Sequence, residues 1–345
     1  MTTVSPGPET GATEDAMSPL LAIDGLRVDL TSRTPHLPLV DDVSFTVGQG
    51  ESVGLVGESG SGKSMTVRAA MRLLPDTVAA TGGIRFEGRS VLGFSSRELA
   101  RYRAGDVAMI HQDPRAHTNP LHTIGDFLIE GTVTTGRAGR REATEAACQL
   151  LAEMGIGDAR ARLDQYPHQL SGGLLQRVMI AMALMNKPML VFADEPTTAL
   201  DVTVQSEVMA ILVEQIAERD TGMVFITHDL DLAAAVTDTL VVMYAGTVVE
   251  RGGSAMLYDI PRHPYTAALL AARPSTTAVR RLVAIPGRPA AASEVGGGCV
   301  FAARCQFATE RCHIERPELR WVDARAVACH RAEEIADRVQ DQASR

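Results

Sequence analysis

A glycine-rich segment places the strongest constraint on the fold, and its sequence is Gly57-Glu58-Ser59-Gly60-Ser61-Gly62-Lys63-Ser64. It matches the phosphate-binding loop pattern, in which glycines let backbone N–H groups wrap around phosphates. The apolar run at 52–56 predicts a buried strand before the loop, and the run at 65–74 predicts a helix after it. A glycine turn with a chance lysine is the alternative, which this strand–loop–helix context disfavours.

The loop predicts a nucleoside triphosphate site, and we expect all eight of its residues to bind ATP. Lys63 would reach the β- and γ-phosphates, and the hydroxyl of Ser64 would bind Mg²⁺. The N-terminus of the following helix adds positive potential.

A second feature is a carboxylate pair at the end of an apolar run, where residues 189–193 predict a strand followed by Asp194 and Glu195. Such a pair at a strand end is common by itself, but it gains meaning beside a phosphate-binding loop. We expect Asp194 to hold Mg²⁺ and Glu195 to polarise the attacking water as general base.

The order of apolar runs predicts an α/β fold. Strands alternate with helices from residue 189 to residue 244, which indicates parallel βαβ units. Apolar residues at helical spacing predict a mostly helical insert at 113–186. We expect a disordered tail at 1–18, a nucleotide-binding domain at 19–260 that contains this insert, and an extension of different composition at 261–345.

Between the two nucleotide motifs, the segment Leu170-Ser-Gly-Gly-Leu-Leu-Gln176 precedes a predicted helix. Together with the order of the other motifs, it resembles the signature of ATP-binding cassette (ABC) proteins. The resemblance implies a P-loop NTPase cassette with a RecA-like core, an antiparallel β subdomain and a helical subdomain. It also implies that Ser171, Gly172, Gly173 and Gln176 face the phosphate loop of a second ATPase subunit, so that ATP lies between two chains.

The resemblance extends to three single residues. Gln112 looks like the glutamine that contacts Mg²⁺ and the water and links the site to the membrane partner. Asp201 looks like the residue that crosses the dimer interface, and His228 like the histidine that contacts the γ-phosphate. Taken alone, His228 would more often be structural. For the adenine base, His36 is the nearest stacking candidate, and an ordinary loop role is equally compatible with its sequence.

Several further segments resemble the oligopeptide/dipeptide importer branch of the ABC family, and they lie at 112–114, 119–126, 176–183, 193–201, 263–270 and 285–287. The resemblance implies an ATP-hydrolysing subunit that powers peptide import from the cytoplasmic face of the cell membrane. It implies two transmembrane permease subunits and a second ATPase subunit in a hetero- or homodimer as partners. An extracytoplasmic solute-binding protein would be an indirect partner.

Two alternatives stay open at this point, namely an importer of nickel, metal chelates or sugars from the same branch, and an ABC ATPase that acts on nucleic acid or ribosomes. The net charge of −9 gives no global attraction to nucleic acid, and we expect no such partner. No apolar run approaches the roughly 20 residues that span a bilayer, and the first residues lack the basic start and apolar core of a secretory signal.

Four of the five cysteines crowd into the extension, at Cys299, Cys305, Cys312 and Cys329. Clustered cysteines in a reducing compartment suggest a metal rather than disulfides. Their spacing departs from the paired C-x2-C pattern of zinc ribbons. In the importer branch such a tail is associated with a [4Fe–4S] cluster, which four thiolates can hold. Zn²⁺, with His313 and His330 as possible substitute ligands, and free thiols are the alternatives.

Overall fold

The computed structural model describes residues 18–32, 36–198, 200–273 and 284–343. The tail predicted at 1–18 therefore lies outside the described residues, apart from Ser18. Within the described ranges, no helix is both long enough and apolar enough to cross a membrane.

The strands form two sheets and are, in chain order, β1 (Leu21–Leu30), β2 (Leu37–Val47), β3 (Ser52–Val56), β4 (Val78–Phe86), β5 (Arg89–Ser90), β6 (Val107–Ile110), β7 (Leu190–Asp194), β8 (Gly222–Thr227), β9 (Thr239–Tyr244), β10 (Thr247–Gly253), β11 (Arg320–Val322) and β12 (Arg325–Val327). The α-helices are α1 (Lys63–Ala70), α2 (Ser96–Arg101), α3 (Ile124–Thr134), α4 (Arg140–Glu153), α5 (Ala159–Arg162), α6 (Gly172–Leu184), α7 (Val202–Glu218), α8 (Leu230–Val236), α9 (Ser254–Asp259), α10 (Pro264–Ala271), α11 (Glu310–Ile314) and α12 (Ala336–Ala343).

The larger sheet has the strand order β11-β12-β10-β9-β3-β8-β7-β6. Its pairs β3–β8, β3–β9, β7–β8 and β6–β7 are parallel. The smaller sheet, in the order β2-β1-β4-β5, is antiparallel. The predicted parallel core and antiparallel β subdomain are thus confirmed, and the ends of β6, β7 and β8 meet at one edge, where parallel sheets bind their ligands.

The two faces of the larger sheet bury different layers. Along β8, Met223 and Phe225 pack into the core shared with α6, α7 and α10. Val224 and Ile226 point to the opposite face, where they pack with α1 and the smaller sheet. This alternation follows from the two-residue period of a strand. Because both faces of the sheet are covered, most residues of β3 and its neighbours are apolar.

The chain between β6 and β7 carries α3, α4, α5 and α6, in the region where a helical insert was predicted at 113–186. Thr123 caps α3 by accepting the Asp126 N–H at 3.2 Å. Leu128, Leu151 and Val178, from three of these helices, are buried in one core. The insert therefore packs as one helical unit onto the sheet.

The extension joins the larger sheet. Strand β12 pairs antiparallel with β10, with Glu250 opposite Val327 and Arg251 opposite Ala326. After β12, residues 331–335 form turns and α12 begins at Ala336.

Candidate functional site

The glycine-rich loop follows β3 and closes onto the start of α1. Gly57 has a φ of 152°, and a Cβ at this position would lie 2.2 Å from the carbonyl oxygen of Met243, so only glycine fits. The Lys63 ammonium donates to the carbonyl oxygens of Gly57 at 2.7 Å and Glu58 at 3.0 Å. Burial lowers the pKa of Lys63, against the opposing effect of nearby carboxylates. The loop thus presents one buried lysine and the open N-terminus of α1.

Beside the loop, Ser64 and Asp194 form an oxygen pair. The Ser64 hydroxyl donates to Asp194 Oδ1 at 3.0 Å. Burial raises the pKa of Asp194, although this hydrogen bond acts in the other direction. Hydroxyl and carboxylate oxygens are the protein ligands that Mg²⁺ accepts, so this pair is chemically suited to the ion that we expected there.

Glu195 is the point where three loops converge. Its Oε1 lies 3.2 Å from His228 Nδ1, and its Oε2 accepts from Gln112 at 3.2 Å and from Thr198 at 3.0 Å. Its φ of 47° is left-handed, a conformation that costs a non-glycine residue about 1–2 kcal/mol. The backbone is held there by a hydrogen bond from the Glu195 N–H to Ile226 O at 2.9 Å.

These groups share one cavity of about 950 Å³, which is large for a ligand pocket. Its lining includes the predicted residues Glu58, Ser59, Gly60, Gly62, Lys63, Ser64, Gln112, Asp194, Glu195 and His228. Of the eight predicted loop residues, Gly57 and Ser61 do not line it. The exposed His36 is not among the lining residues either, whereas Leu39 is.

The signature residues lie elsewhere. Ser171 caps α6 by accepting the Leu174 N–H at 3.4 Å, and Gly172 and Gly173 open the helix. Asp201 caps α7 by accepting the Val204 N–H at 3.0 Å.

Gln176, one turn into α6, is only 1% exposed, and its Nε2 has no hydrogen-bond partner within the described part of the chain. None of the predicted signature residues, nor Asp201, lines the nucleotide cavity.

Sequence reasoning missed the residues that the extension brings to the loop. The Tyr265 hydroxyl accepts the Glu58 backbone N–H at 2.8 Å, and Arg304 pairs with the Glu58 carboxylate at 2.6 Å. Leu269 and Pro289 also line the cavity. The His-Pro-Tyr run at 263–265 was visible in the sequence, but its contact with a loop some 200 residues earlier was not.

Cys299, Cys305, Cys312 and Cys329 line a separate, small cavity of about 20 Å³. The Cys299 N–H donates to the carbonyl oxygen of Cys312 at 2.7 Å, which joins two of the segments. Burial raises the pKa of Cys305 to about 11 and that of Cys329 to about 12. Over the ranges that the structure covers, no three His, Cys, Asp or Glu side chains are arranged as a ready metal site. The fifth cysteine, Cys148, packs against the main core.

The fold and this site together define an ATP-binding cassette of the P-loop NTPase class. Residues 40–198 match the ABC transporter family, and residues 249–312 match the C-terminal region of oligopeptide/dipeptide transporters. Among solved structures, CbiO1 from Clostridium perfringens, described as part of an ABC transporter complex, is similar with a TM-score of 0.61 and 25% identity, over 70% of this chain and 90% of that one.

Curated relatives cover nearly the whole chain. A putative peptide import ATP-binding protein of Brucella melitensis is 43% identical over 92% of this chain and 98% of its own length. The dipeptide transport ATP-binding protein DppD of Escherichia coli is 42% identical over 90% and 96%. The oligopeptide transport ATP-binding protein OppD of Haemophilus influenzae is 41% identical over 86% and 93%. This chain belongs to the oligopeptide/dipeptide family of ABC transporter ATP-binding subunits.

Proposed function

We propose that this chain is the ATP-hydrolysing subunit that powers import of di- and oligopeptides across the cytoplasmic membrane. The observation that carries the proposal is the single cavity in which Glu195, Gln112 and His228 lie beside the phosphate-binding loop. The names of the relatives, which are peptide, dipeptide and oligopeptide transport proteins, support peptides as the cargo.

The contacts support a division of labour within the cavity. The loop amides and Lys63 bind the β- and γ-phosphates. Glu195, oriented from both sides by Gln112 and His228, accepts the proton of the attacking water as general base. His228 lies beside Oε1 of this carboxylate, opposite the oxygen that Gln112 contacts, and from there it can contact the γ-phosphate.

Mg²⁺ is the metal that we propose for this cavity, held by Ser64, Asp194 and Gln112. When bound, it neutralises the charge that develops on the transferred phosphoryl group. The buried Asp194 carboxylate, already oriented by the Ser64 hydroxyl, supplies the negative charge that such an ion needs.

The site is half of a working site. Ser171, Gly172 and Gly173 lie away from the cavity of their own chain, so we propose that they close on ATP held by a second ATPase subunit. Gln176, expected in the same role, is buried inside its own chain and would support the helix start from within. The helix N-terminus at Ser171 is suited to a γ-phosphate. Asp201, at the start of α7, would lie at the same subunit interface.

We propose two transmembrane permease subunits as the other partners, with a solute-binding protein acting through them, and a peripheral position on the cytoplasmic face of the membrane. The cassette at 19–260 would contact the permeases through its helical subdomain at 113–186. The extension at 261–345 stays with the cassette, because β12 pairs with β10.

For the four cysteines we propose a [4Fe–4S] cluster, with Zn²⁺ as the second candidate. The four cysteines line one cavity, and the thiolates that form when a metal displaces the thiol protons are soft ligands suited to iron–sulfur clusters and to Zn²⁺. The cavity of about 20 Å³ has room for about one water-sized sphere, so the segments carrying the thiols would have to move apart for a cluster. Iron and sulfide analysis of anaerobically purified protein tests this proposal. Four irons per chain would support the cluster, whereas one zinc per chain without iron would support Zn²⁺ instead.

The import proposal is tested on the chain co-purified with its permease partners. ATPase activity is compared between wild type and Glu195→Gln, with and without a peptide-loaded binding protein, and Glu214→Gln on the exposed face of α7 is the matched control. We expect stimulation by the loaded binding protein, loss of turnover by about 10²–10⁴-fold in Glu195→Gln, and no change in the control. Failure to form any membrane complex, or stimulation by a metal chelate or sugar in place of peptide, would contradict peptide import.

A further inference from the structure

Glu58 places a carboxylate in a loop that has to bind phosphates. It is the second residue of the loop and lines the nucleotide cavity, and its side chain is 24% exposed. A free carboxylate there would repel the phosphates of a nucleotide, since like charges at short range repel strongly outside bulk water. Some other group must neutralise it.

Arg304, from the extension, supplies that group. Its Nη1 donates to Glu58 Oε2 at 2.6 Å and its Nη2 to Oε1 at 3.2 Å, which is the two-pronged geometry that makes arginine–carboxylate pairs strong. The Arg304 side chain is only 5% exposed. The pair is therefore shielded from solvent and salt, unlike a surface ion pair.

Arg304 is itself fixed in place. Its Nε donates to the carbonyl oxygen of Pro286 at 2.8 Å, and its Nη1 donates to the Tyr244 hydroxyl at 3.3 Å. Its Cζ also lies 5.7 Å from the centre of the Tyr244 ring. With these partners the guanidinium is held ready for the Glu58 carboxylate and has no other acidic partner within the described residues.

A second contact holds the backbone of the same loop residue. The Glu58 N–H donates to the hydroxyl of Tyr265, which is fully buried at the start of α10. The helix start is fixed by His263, whose Nδ1 accepts the Tyr265 N–H at 3.1 Å. The Tyr265 ring packs edge-on against Tyr244 at 4.7 Å, so both contacts to Glu58 belong to one buried cluster.

We propose that Arg304 and Tyr265 are positioning residues of the nucleotide site, which neutralise Glu58 and hold the first turn of the phosphate-binding loop in its binding shape. The inference rests on the proposed nucleotide function and deepens it, because it makes the extension a working part of the site. It also assigns a role to the His-Pro-Tyr segment, which presents the Tyr265 hydroxyl to the loop.

The test is the Kd of the purified full-length chain for MgADP, which is not hydrolysed during the titration. We expect Arg304→Gln to raise this Kd about tenfold, equal to about 1.4 kcal/mol. Arg320→Gln, which breaks an exposed ion pair to Glu333 elsewhere in the extension, is the matched control and should bind as wild type does. Tyr265→Phe, which removes only the hydroxyl, should raise the Kd about threefold.

The charge argument has its own test in the double variant Glu58→Gln/Arg304→Gln. Since the repelling carboxylate is gone, the double variant should bind MgADP more tightly than Arg304→Gln alone. A double variant no better than Arg304→Gln, or an Arg304→Gln protein that is folded and binds as wild type does, overturns the inference.

If Arg304→Gln does not fold, the Arg304→Lys variant is measured instead, because lysine keeps the positive charge but cannot make the two-pronged pair with the Glu58 carboxylate. We expect its Kd to rise about threefold, and a wild-type value would again overturn the inference. If the wild-type chain binds MgADP no better than the Lys63→Ala variant does, the nucleotide function itself would be contradicted.

Discussion

Protonation of His263 should destabilise the packing of the extension against the cassette. His263 is 1% exposed, and its Nδ1 accepts the Tyr265 N–H at 3.1 Å, so the ring must be neutral on that side. Burial lowers the pKa of His263 to about 3, against an opposing hydrogen bond to the Ala328 backbone. The nearest acid, Glu250, accepts the His263 backbone N–H at 3.1 Å.

The direction of the pH effect on stability follows from the pKa of His263 in the unfolded chain and in the folded chain. The unfolded chain protonates His263 near its ordinary value of 6.5, whereas the folded chain resists until about 3. Between these values the unfolded state binds more protons, so stability is lost as the pH falls from about 6.5 towards 3. From pH 7.5 to pH 5.0 the loss is about 2 kcal/mol, at 1.36 kcal/mol for each pH unit below the unfolded value.

The assay is urea unfolding of wild type and His263→Asn at pH 7.5 and pH 5.0. It is followed by the emission of Trp321, the single tryptophan, which lies in β11 of the extension. Asparagine can still cap α10 but does not titrate, and the raised pKa of the buried Glu250 affects both proteins. We expect wild type to lose about 2 kcal/mol more than the variant on acidification. Equal losses would refute the reasoning.

Three further perturbations test the packing around the site. Glu250→Gln leaves the buried guanidinium of Arg325, 3.8 Å away, without its counter-charge, and should lower the free energy of unfolding by about 3–5 kcal/mol; a loss below about 1 kcal/mol in urea titrations would contradict this. Gly57→Ala forces a Cβ to within 2.2 Å of Met243 O and should abolish MgADP binding, measured by calorimetry; retained binding would show that the loop can relax. Ser171→Ala removes the α6 cap and should cost about 1 kcal/mol of stability while leaving MgADP affinity of the isolated chain unchanged; weakened affinity would place Ser171 at its own chain's nucleotide.

Local sequence signals predicted what depends on neighbouring residues. Helix α7 lies in the region at 189–244 where helices alternating with strands were expected, because Asp201 supplies the cap and the apolar residues keep helical spacing. The phosphate-binding loop could be predicted for the same reason, since its strand, glycines and helix are consecutive. Helix α6, which was expected to follow the segment at 170–176, begins within that segment at Gly172, because the Ser171 cap fixes the start.

What could not be predicted depends on pairs that are far apart in the chain. The contact between Glu58 and Arg304 joins residues 246 positions apart. The residues around each of them form no local pattern from which the other could be predicted. Strands β11 and β12 have only three residues each, too short for an alternation to show. Thr198, which donates to Glu195 only three residues earlier, was missed for a different reason, since a single threonine in a turn carries no signal.

The extension that begins at residue 261 is joined to the cassette by a strand pair and by a buried ion pair. Without the extension, β10 would be an open edge of the larger sheet, which invites pairing with other chains; β12 covers it, and the short β11 becomes the edge instead. The same cut would strip Glu58 of Arg304 and the fully buried Glu250 of Arg325. Two carboxylates, one at the phosphate-binding loop and one in the core, pair with arginines that lie beyond that position. We therefore expect a cassette cut there to fold less stably and to bind nucleotide more weakly.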